Sequence, residues 1–390
     1  MTFDFDAVID RRNTESLKYD FAHRHNLPPD ILPLWVADMD FRSPPEVMEA
    51  LKQRCDHGIF GYSESAEPYY NAVADWMKTS YGYAVSPERL VKTPGVVFGI
   101  CAAMRALTRE GDAVLIQQPV YYPFADSIRH NARKLVVNRL VYEGGRYRID
   151  FEDFEQRIIA ENVRLFILCS PHNPVGRVWT REELARMGEI CLRHGVIVVS
   201  DEIHADFTYP GHTHTVFGSL GEAFEQNCIL CTAPTKTFNL AGLQVSNLFI
   251  ADPAIRKSVL KELYRTGYGH IGAMNLIACR VAYESGRPWL DALSAYLFEN
   301  LRFVREFVNE RLRGVRLVEP EGTYLVWLDF SGTNKSGAEL EELIVHRAKL
   351  WLDAGEMFGE GGEGFQRINI ACPRAVLMRA FEALERAMAR

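Results

Sequence analysis

Short apolar runs recur along the middle of this chain, separated by stretches in which apolar residues return every third or fourth position. The runs 113–117, 135–138, 165–169, 196–200, 228–232 and 247–251 are nearly continuous in Val, Ile, Leu, Phe, Ala and Cys, the signature of strands buried on both faces. Between them, 96–108, 181–194 and 255–265 carry helical periodicity. Strands alternating with helices at this spacing predict an α/β fold around a doubly wound, mostly parallel sheet. The first 45 residues break the pattern, punctuated by Pro28, Pro29, Pro33, Pro44 and Pro45, which predicts an irregular arm. After about residue 285 the pattern changes again. An amphipathic stretch at 289–313 leads to a strand-like run at 322–330, a helix at 338–348, a strand at 367–371 and a helix at 374–390. The expected division is a large α/β domain at 48–288, with 1–47 and 289–390 forming an arm and a smaller α+β domain. No Gly/Ser-rich linker separates the two, so a packed interface with a shared cleft is expected.

Composition narrows the class. With 47% hydrophobic and 24% charged residues the chain is an ordinary globular protein, and 28 Gly and 18 Pro without a repeat exclude collagen-like or disordered sequence. Acidic residues outnumber basic ones, 51 to 44, for a net charge of −7. That balance argues against a general nucleic-acid or acidic-membrane binder, which needs a surplus of Lys and Arg. No run approaches the ~18–20 apolar residues of a membrane span. The opening residues carry Asp4 and Asp6 where a signal peptide would be basic, so a cytoplasmic protein is expected. The eight cysteines are scattered through apolar stretches, as buried free thiols would be.

In open α/β sheets ligands gather beyond the carboxyl ends of the strands. There the chain places Asp201 after 196–200, Ser170-Pro171-His172-Asn173-Pro174 after 165–169, Ala233-Pro234-Thr235-Lys236 after 228–232, and Gln118-Pro119-Val120-Tyr121 after 113–117. An acid, an amide, an amine and a phenol share one edge, a set that suits a charged, ring-bearing ligand. Pyridoxal phosphate fits: an amine forms an imine with its aldehyde, an acid keeps its ring nitrogen protonated, and an aromatic stacks on the ring. Spacing alone leaves open a solvated lysine and an aspartate that caps a helix. Other motifs carry less. Gly359-Glu360-Gly361-Gly362-Glu363-Gly364 matches G-x-G-x-x-G, but no strand–turn–helix surrounds it and its glutamates would repel a pyrophosphate. Cys228 and Cys231 lie three apart on one expected strand and so face opposite sides, and no metal site is expected. The pairs His23/His25 and His212/His214 are expected to be solvated.

Three segments carry a resemblance: Ser200-Asp201-Glu202-Ile203-His204, Pro171-His172-Asn173-Pro174-Val175-Gly176 and Thr235-Lys236-Thr237-Phe238-Asn239-Leu240-Ala241-Gly242-Leu243. They resemble the signature segments of fold-type I pyridoxal-phosphate enzymes of the aminotransferase class I/II superfamily. Leu32-Pro33-Leu34-Trp35-Val36-Ala37-Asp38-Met39-Asp40-Phe41, Phe60-Gly61-Tyr62 and Met357-Phe358-Gly359-Glu360 narrow the resemblance to the MalY/PatB-type cystathionine β-lyases. So do Gly364-Phe365 and Arg367-Ile368-Asn369-Ile370-Ala371-Cys372-Pro373-Arg374. The resemblance spans residue 8 to the C-terminus and implies an aspartate-aminotransferase-like large domain with a seven-stranded sheet.

It also implies roles. Lys236 would bind the cofactor aldehyde and later remove the α-proton, Asp201 would pair with the ring nitrogen, Asn173 would donate to the ring hydroxyl oxygen, and Tyr121 would stack on the ring. Gly95, Val96 and Val97 open a helix whose N–H groups could bind the phosphate, with Thr235 alongside. Tyr62 would reach the phosphate of a neighbouring subunit, implying a homodimer. Arg367 would clamp the substrate α-carboxylate, with Ala37 beside it. Some positions depart from the wider superfamily. Gln244 replaces a common arginine, Ala233 a common Ser or Thr, and His204 a tyrosine near the ring hydroxyl, the last of which favours the lyase branch. The segment 267–275 also lacks an expected Asn-Pro. The expected function is β-elimination from L-cystathionine or a related cysteine S-conjugate, giving a thiol, pyruvate and ammonia, with Tyr121 as a candidate donor to the leaving sulfur. An aminotransferase is the alternative, and a regulatory partner-binding role beside catalysis is a further one.

Overall fold

The computed structural model describes residues 3–389. The arm ends in a two-residue strand, β1 (Leu32–Pro33), and helices α1 (Pro45–His57) and α2 (Glu67–Tyr81) follow. The large sheet then begins with β2 (Leu90–Thr93), α3 (Val96–Leu107), β3 (Ala113–Gln118), α4 (Pro123–His130) and β4 (Lys134–Arg139). A hairpin of β5 (Val141–Glu143) and β6 (Arg146–Arg148) leads to α5 (Phe151–Ala160), β7 (Leu165–Cys169), α6 (Arg181–Arg193) and β8 (Ile197–Asp201). After α7 (Glu222–Gln226) come β9 (Cys228–Thr232), the single turn α8 (Pro234–Thr237), β10 (Ser246–Ile250), α9 (Pro253–Arg265) and α10 (Ala273–Ser285).

The seven strands are ordered β2-β10-β9-β8-β7-β3-β4. Only β10 runs antiparallel to its neighbours, so β2 again points the same way as β9. Every position of β3, β7, β9 and β10 is buried, which is why their sequences read as continuous apolar runs rather than alternations. Helices cover both faces. Val198 and Cys228 pack on one side with Phe154, Trp179 and Leu184, while Val199 and Cys231 pack on the other with Ile100, Val114 and Val259. The C-x-x-C pair is therefore split by the sheet, and all eight cysteines are free.

The long helix α11 (Arg287–Arg311) leads to β11 (Arg316–Val318), β12 (Leu325–Asp329), α12 (Gly337–Glu341), β13 (Leu350–Trp351), β14 (Asp353–Ala354), β15 (Phe365–Asn369) and α13 (Arg374–Met388). Four of these strands form an antiparallel sheet ordered β11-β12-β15-β14. The expected helix at 338–348 is split. It continues from α12 as a wider π turn, Glu342–Arg347, because Ala348 N–H reaches back to the Leu343 carbonyl before Lys349 turns left-handed at φ 56°.

The arm is irregular but pinned. β1 pairs in parallel with β13, Leu32 opposite Leu350. Lys18, with none of its side chain exposed, pairs with Asp40 at 2.9 Å, while Arg11 bridges Asp38 at 2.7 Å and Asp40 at 2.8 Å. Asn239, on the loop after α8, accepts from Met39 N–H (2.9 Å) and donates to the Met39 and Phe41 carbonyls (3.0 and 2.8 Å). His214 departs from the expected solvated pair. It is buried, with Nε2 2.6 Å from Glu202 Oε2, because the loop after β8 folds back under the strand and needs a partner for that carboxylate. His23, His25 and His212 are exposed. Among the described residues no helix is long and apolar enough to cross a membrane.

Candidate active site

Strand register brings the expected residues to one edge. Thr93 lies opposite Ser246, Asn247 opposite Thr232, Cys231 opposite Asp201 and Asp201 opposite Cys169. The carboxyl ends of β2, β9, β8 and β7 therefore align; Asp201 ends β8, and the segments leaving β2, β9 and β7 carry Gly95, Lys236 and Asn173. Asn173 in turn receives Tyr121, whose N–H donates to its carbonyl at 3.0 Å. From across the cleft come the arm, with Trp35 to Asp38, and Arg367 on β15.

Lys236 lies in α8, the single turn that Pro234 opens. Its neighbour Thr237 donates to Asp206 at 2.6 Å, and Asp206 also accepts from Trp76 Nε1 at 3.1 Å and from Tyr81. Lys236 Nζ donates to the Ala37 carbonyl at 2.6 Å, and the Tyr324 hydroxyl donates to the same oxygen at 3.1 Å. Burial lowers the Lys236 pKa from its ordinary 10.5 to about 8, with Asp38 opposing and Arg367 reinforcing the shift. The Asp201 carboxylate accepts one backbone N–H, from Ile203 at 3.1 Å, and burial pushes it up from 3.8 to about 7. His204 is buried, with Nδ1 lacking a partner, and burial pulls it down to about 3.

Arg367 is held on several sides. Nη1 donates to Asn173 Oδ1 at 3.0 Å, Nη2 donates to the Trp35 carbonyl at 2.8 Å, and Nη2 also pairs with Asp353. With its amide oxygen engaged, Asn173 has its amide N–H groups to offer another ligand. Arg367 Nε is buried without a partner. Tyr121 is half-buried among Tyr122 and Phe124, and burial raises its phenol well above the ordinary range. Thr235 is buried in the first turn of α8. Gly95 caps α3 at φ 147°, and a Cβ placed there would meet nothing within 4 Å. The first-turn N–H groups at Val96 and Val97 have no carbonyl ahead of them in the helix, which makes an anion cradle beside open space.

The donor set suits one kind of ligand: a neutralisable amine, a buried carboxyl lacking a counter-cation, an orphaned imidazole nitrogen and a helix N-terminus. An aldehyde, a protonated ring nitrogen, a ring hydroxyl and a phosphate on one molecule would satisfy them, and pyridoxal phosphate carries all four. Among the described residues no cluster of side chains could hold a metal ion.

Tyr62 stands apart from this cluster. It is 96% exposed, with only the His270 ring nearby at 5.6 Å, and is flanked by exposed Ile59 and Phe60. Sequence reasoning missed Asp353, Tyr324 and Asp38. Asp353 had a weak signal, an acid ending the apolar run Leu350-Trp351-Leu352. Tyr324 had none, being one aromatic among several before an apolar strand.

A sequence profile of the family "Aminotransferase class I and II" matches residues 29–384. Cystathionine beta-lyase PatB of Bacillus subtilis (strain 168) is 44% identical over 384 residues, covering 98% of this chain and 99% of that protein. Protein MalY of Escherichia coli (strain K12) is 33% identical over 384 residues, 98% of each. Among solved structures, cystalysin from Treponema denticola, which contains a pyridoxal 5'-phosphate cofactor, is similar with a TM-score of 0.96 at 37% identity. That likeness covers 100% of this chain and 99% of the other. By its sheet, its strand-edge cluster and these likenesses, the chain belongs to the aminotransferase class I and II family.

Proposed function

We propose that this protein is a pyridoxal-phosphate-dependent carbon–sulfur β-lyase that cleaves L-cystathionine or related cysteine S-conjugates. The observation that carries it is the 44% identity, end to end, with a cystathionine β-lyase. The cofactor, when bound, supplies an aldehyde for amines and a ring that takes up the electron pair left by a departing proton. Lys236 would hold it, and its pKa, lowered to about 8, makes the amine largely neutral above about pH 8, where it can take the substrate α-proton. Asp201 would pair with the ring nitrogen, and Asn173 would donate to the ring hydroxyl oxygen, with His204 also in this part of the site. Gly95, Val96, Val97 and Thr235 bind the phosphate. Arg367 holds the substrate α-carboxylate beside Ala37. Tyr121 would stack on the ring, and its phenol, kept protonated by burial, would donate to the leaving sulfur. The C–S bond breaks, the sulfur leaves as a thiol, and addition of water releases the remainder as pyruvate and ammonia.

We place the reaction between a large domain at 48–288 and the small domain of 289–390 with the arm. We further propose a homodimer in which Tyr62 reaches the partner's phosphate site, supported by its exposure and that of Ile59 and Phe60. A cytoplasmic location accords with eight unpaired cysteines. The test is a pyruvate-release assay on a panel of cysteine S-conjugates, with and without a keto acid. Release without a keto acid, lost in Lys236→Ala, is the expected result. Turnover that requires the keto acid would instead make the protein an aminotransferase. Light scattering of the purified protein checks the dimer, and a monomer that binds the cofactor as tightly overturns the role of Tyr62.

A further inference from the structure

Arg367 is a buried cation with a buried anion already on it. Asp353 and Arg367 lie directly opposite each other in the antiparallel pairing of β14 with β15, so their side chains project from the same face and meet. Their side chains are 2% and 3% exposed, and Arg367 Nη2 pairs with Asp353 Oδ2. The other groups on this guanidinium are the Asn173 amide oxygen and the Trp35 carbonyl, both neutral, and the ring face of Phe358 4.9 Å away. Nε alone has no partner. A carboxylate arriving there would share its guanidinium with a second negative charge.

We infer that Asp353 is a positioning residue with an opposing electrostatic effect. It fixes the Arg367 fork, and its charge competes with the α-carboxylate of an incoming amino acid for the same cation. This rests on the proposal that Arg367 receives that carboxylate. Such a pair gives orientation without excessive affinity, because part of the attraction of Arg367 is already satisfied before substrate binds. Removing the charge while keeping an oxygen in place should therefore tighten amino-acid binding, whereas loss of a purely structural contact would weaken it.

The test uses Asp353→Asn, and Asp353→Ser as a second uncharged variant, each loaded with pyridoxal phosphate. L-Alanine, an α-amino acid with no β leaving group, is titrated calorimetrically, and KM and kcat are measured for L-cystathionine. Both variants should bind L-alanine more tightly, on the order of tenfold for the loss of a nearby like charge. KM should fall in step. L-Alanine should also raise the melting temperature of Asp353→Asn more than that of the wild type, since it restores an anion to an uncompensated buried guanidinium. Unchanged or weakened L-alanine binding in both variants overturns the inference. The lyase reading stands or falls separately, on pyruvate release by the wild type.

Discussion

Asn239 offers a quantitative test of how the arm is held over the lysine. Its side chain makes three hydrogen bonds to arm backbone, one accepted from Met39 N–H and two donated to the Met39 and Phe41 carbonyls. It does so from φ 56°, a left-handed conformation that asparagine tolerates and alanine resists. Asn239→Ala removes three bonds worth ~1 kcal/mol each and adds ~1 kcal/mol of backbone strain. The clasp of Lys18, Arg11, Asp38 and Asp40 stays in place, so loosening should be confined to residues 39–41. At ~1.4 kcal/mol per tenfold, and allowing for bonds that do not add fully, opening becomes roughly one hundred times more frequent. Amide hydrogen exchange at Met39, whose N–H is the one Asn239 accepts, reads this directly. Asn239→Gly loses the same bonds without the strain, so the gap between the two variants isolates the backbone contribution. The Ala37 carbonyl on Lys236 and the Trp35 carbonyl on Arg367 lie outside the loosened residues, so KM for amino acids should stay near the wild-type value. Exchange in the alanine variant within about threefold of wild type would refute the reasoning, since three net bonds cannot amount to so little.

Three further outcomes are expected. Uptake of pyridoxal phosphate by the apo protein should speed up with pH and level off just above about 8, since only a neutral Lys236 amine condenses with an aldehyde; a rate still climbing steeply towards 10.5 contradicts the lowered pKa. Asp201, raised from 3.8 to about 7, destabilises the apo fold above 3.8 and does so in full above about 7, and a protonated ring nitrogen relieves this. The cofactor should therefore raise the melting temperature more at about pH 8 than at about pH 6, and equal shifts would rule out the pairing. Tyr121→Phe should slow pyruvate release by ~10²-fold or more while leaving cofactor absorbance intact, and unchanged turnover removes Tyr121 as the donor.

The buried strands were legible because burial on both faces leaves nothing but apolar residues, and the observed β7 and β9 coincide with the runs 165–169 and 228–232. β2 was not legible. Its four residues, Leu90-Val91-Lys92-Thr93, alternate between half-buried and buried positions at the edge of the sheet and leave too short a pattern to stand out. Helices α1, α2 and α10 were also unassigned, their apolar stripes being interrupted by charged or small residues. Within the site, Lys236, Asp201 and Asn173 could be found because each ends or follows a strand. Asp353 could not, since it matters only through its register with Arg367, and a two-residue strand announces no register. His214 misled for a related reason: its partner Glu202 lies twelve residues earlier on the same loop, and only the way that loop folds back brings the two together.

The arm-to-β13 pairing has a consequence for the order in which the molecule forms. Trp35 and Arg367, which meet at the cleft, are 332 residues apart in the chain. Contacts this distant close late, because the loop entropy they cost is recovered only once the intervening sheets exist to hold the ends. On a ribosome the strand-edge residues from Gly95 to Lys236 can assemble while the C-terminal part is still being made, but the carboxylate clamp cannot. A nascent chain of this protein should therefore gain the ability to hold its cofactor before it gains the ability to select an amino acid.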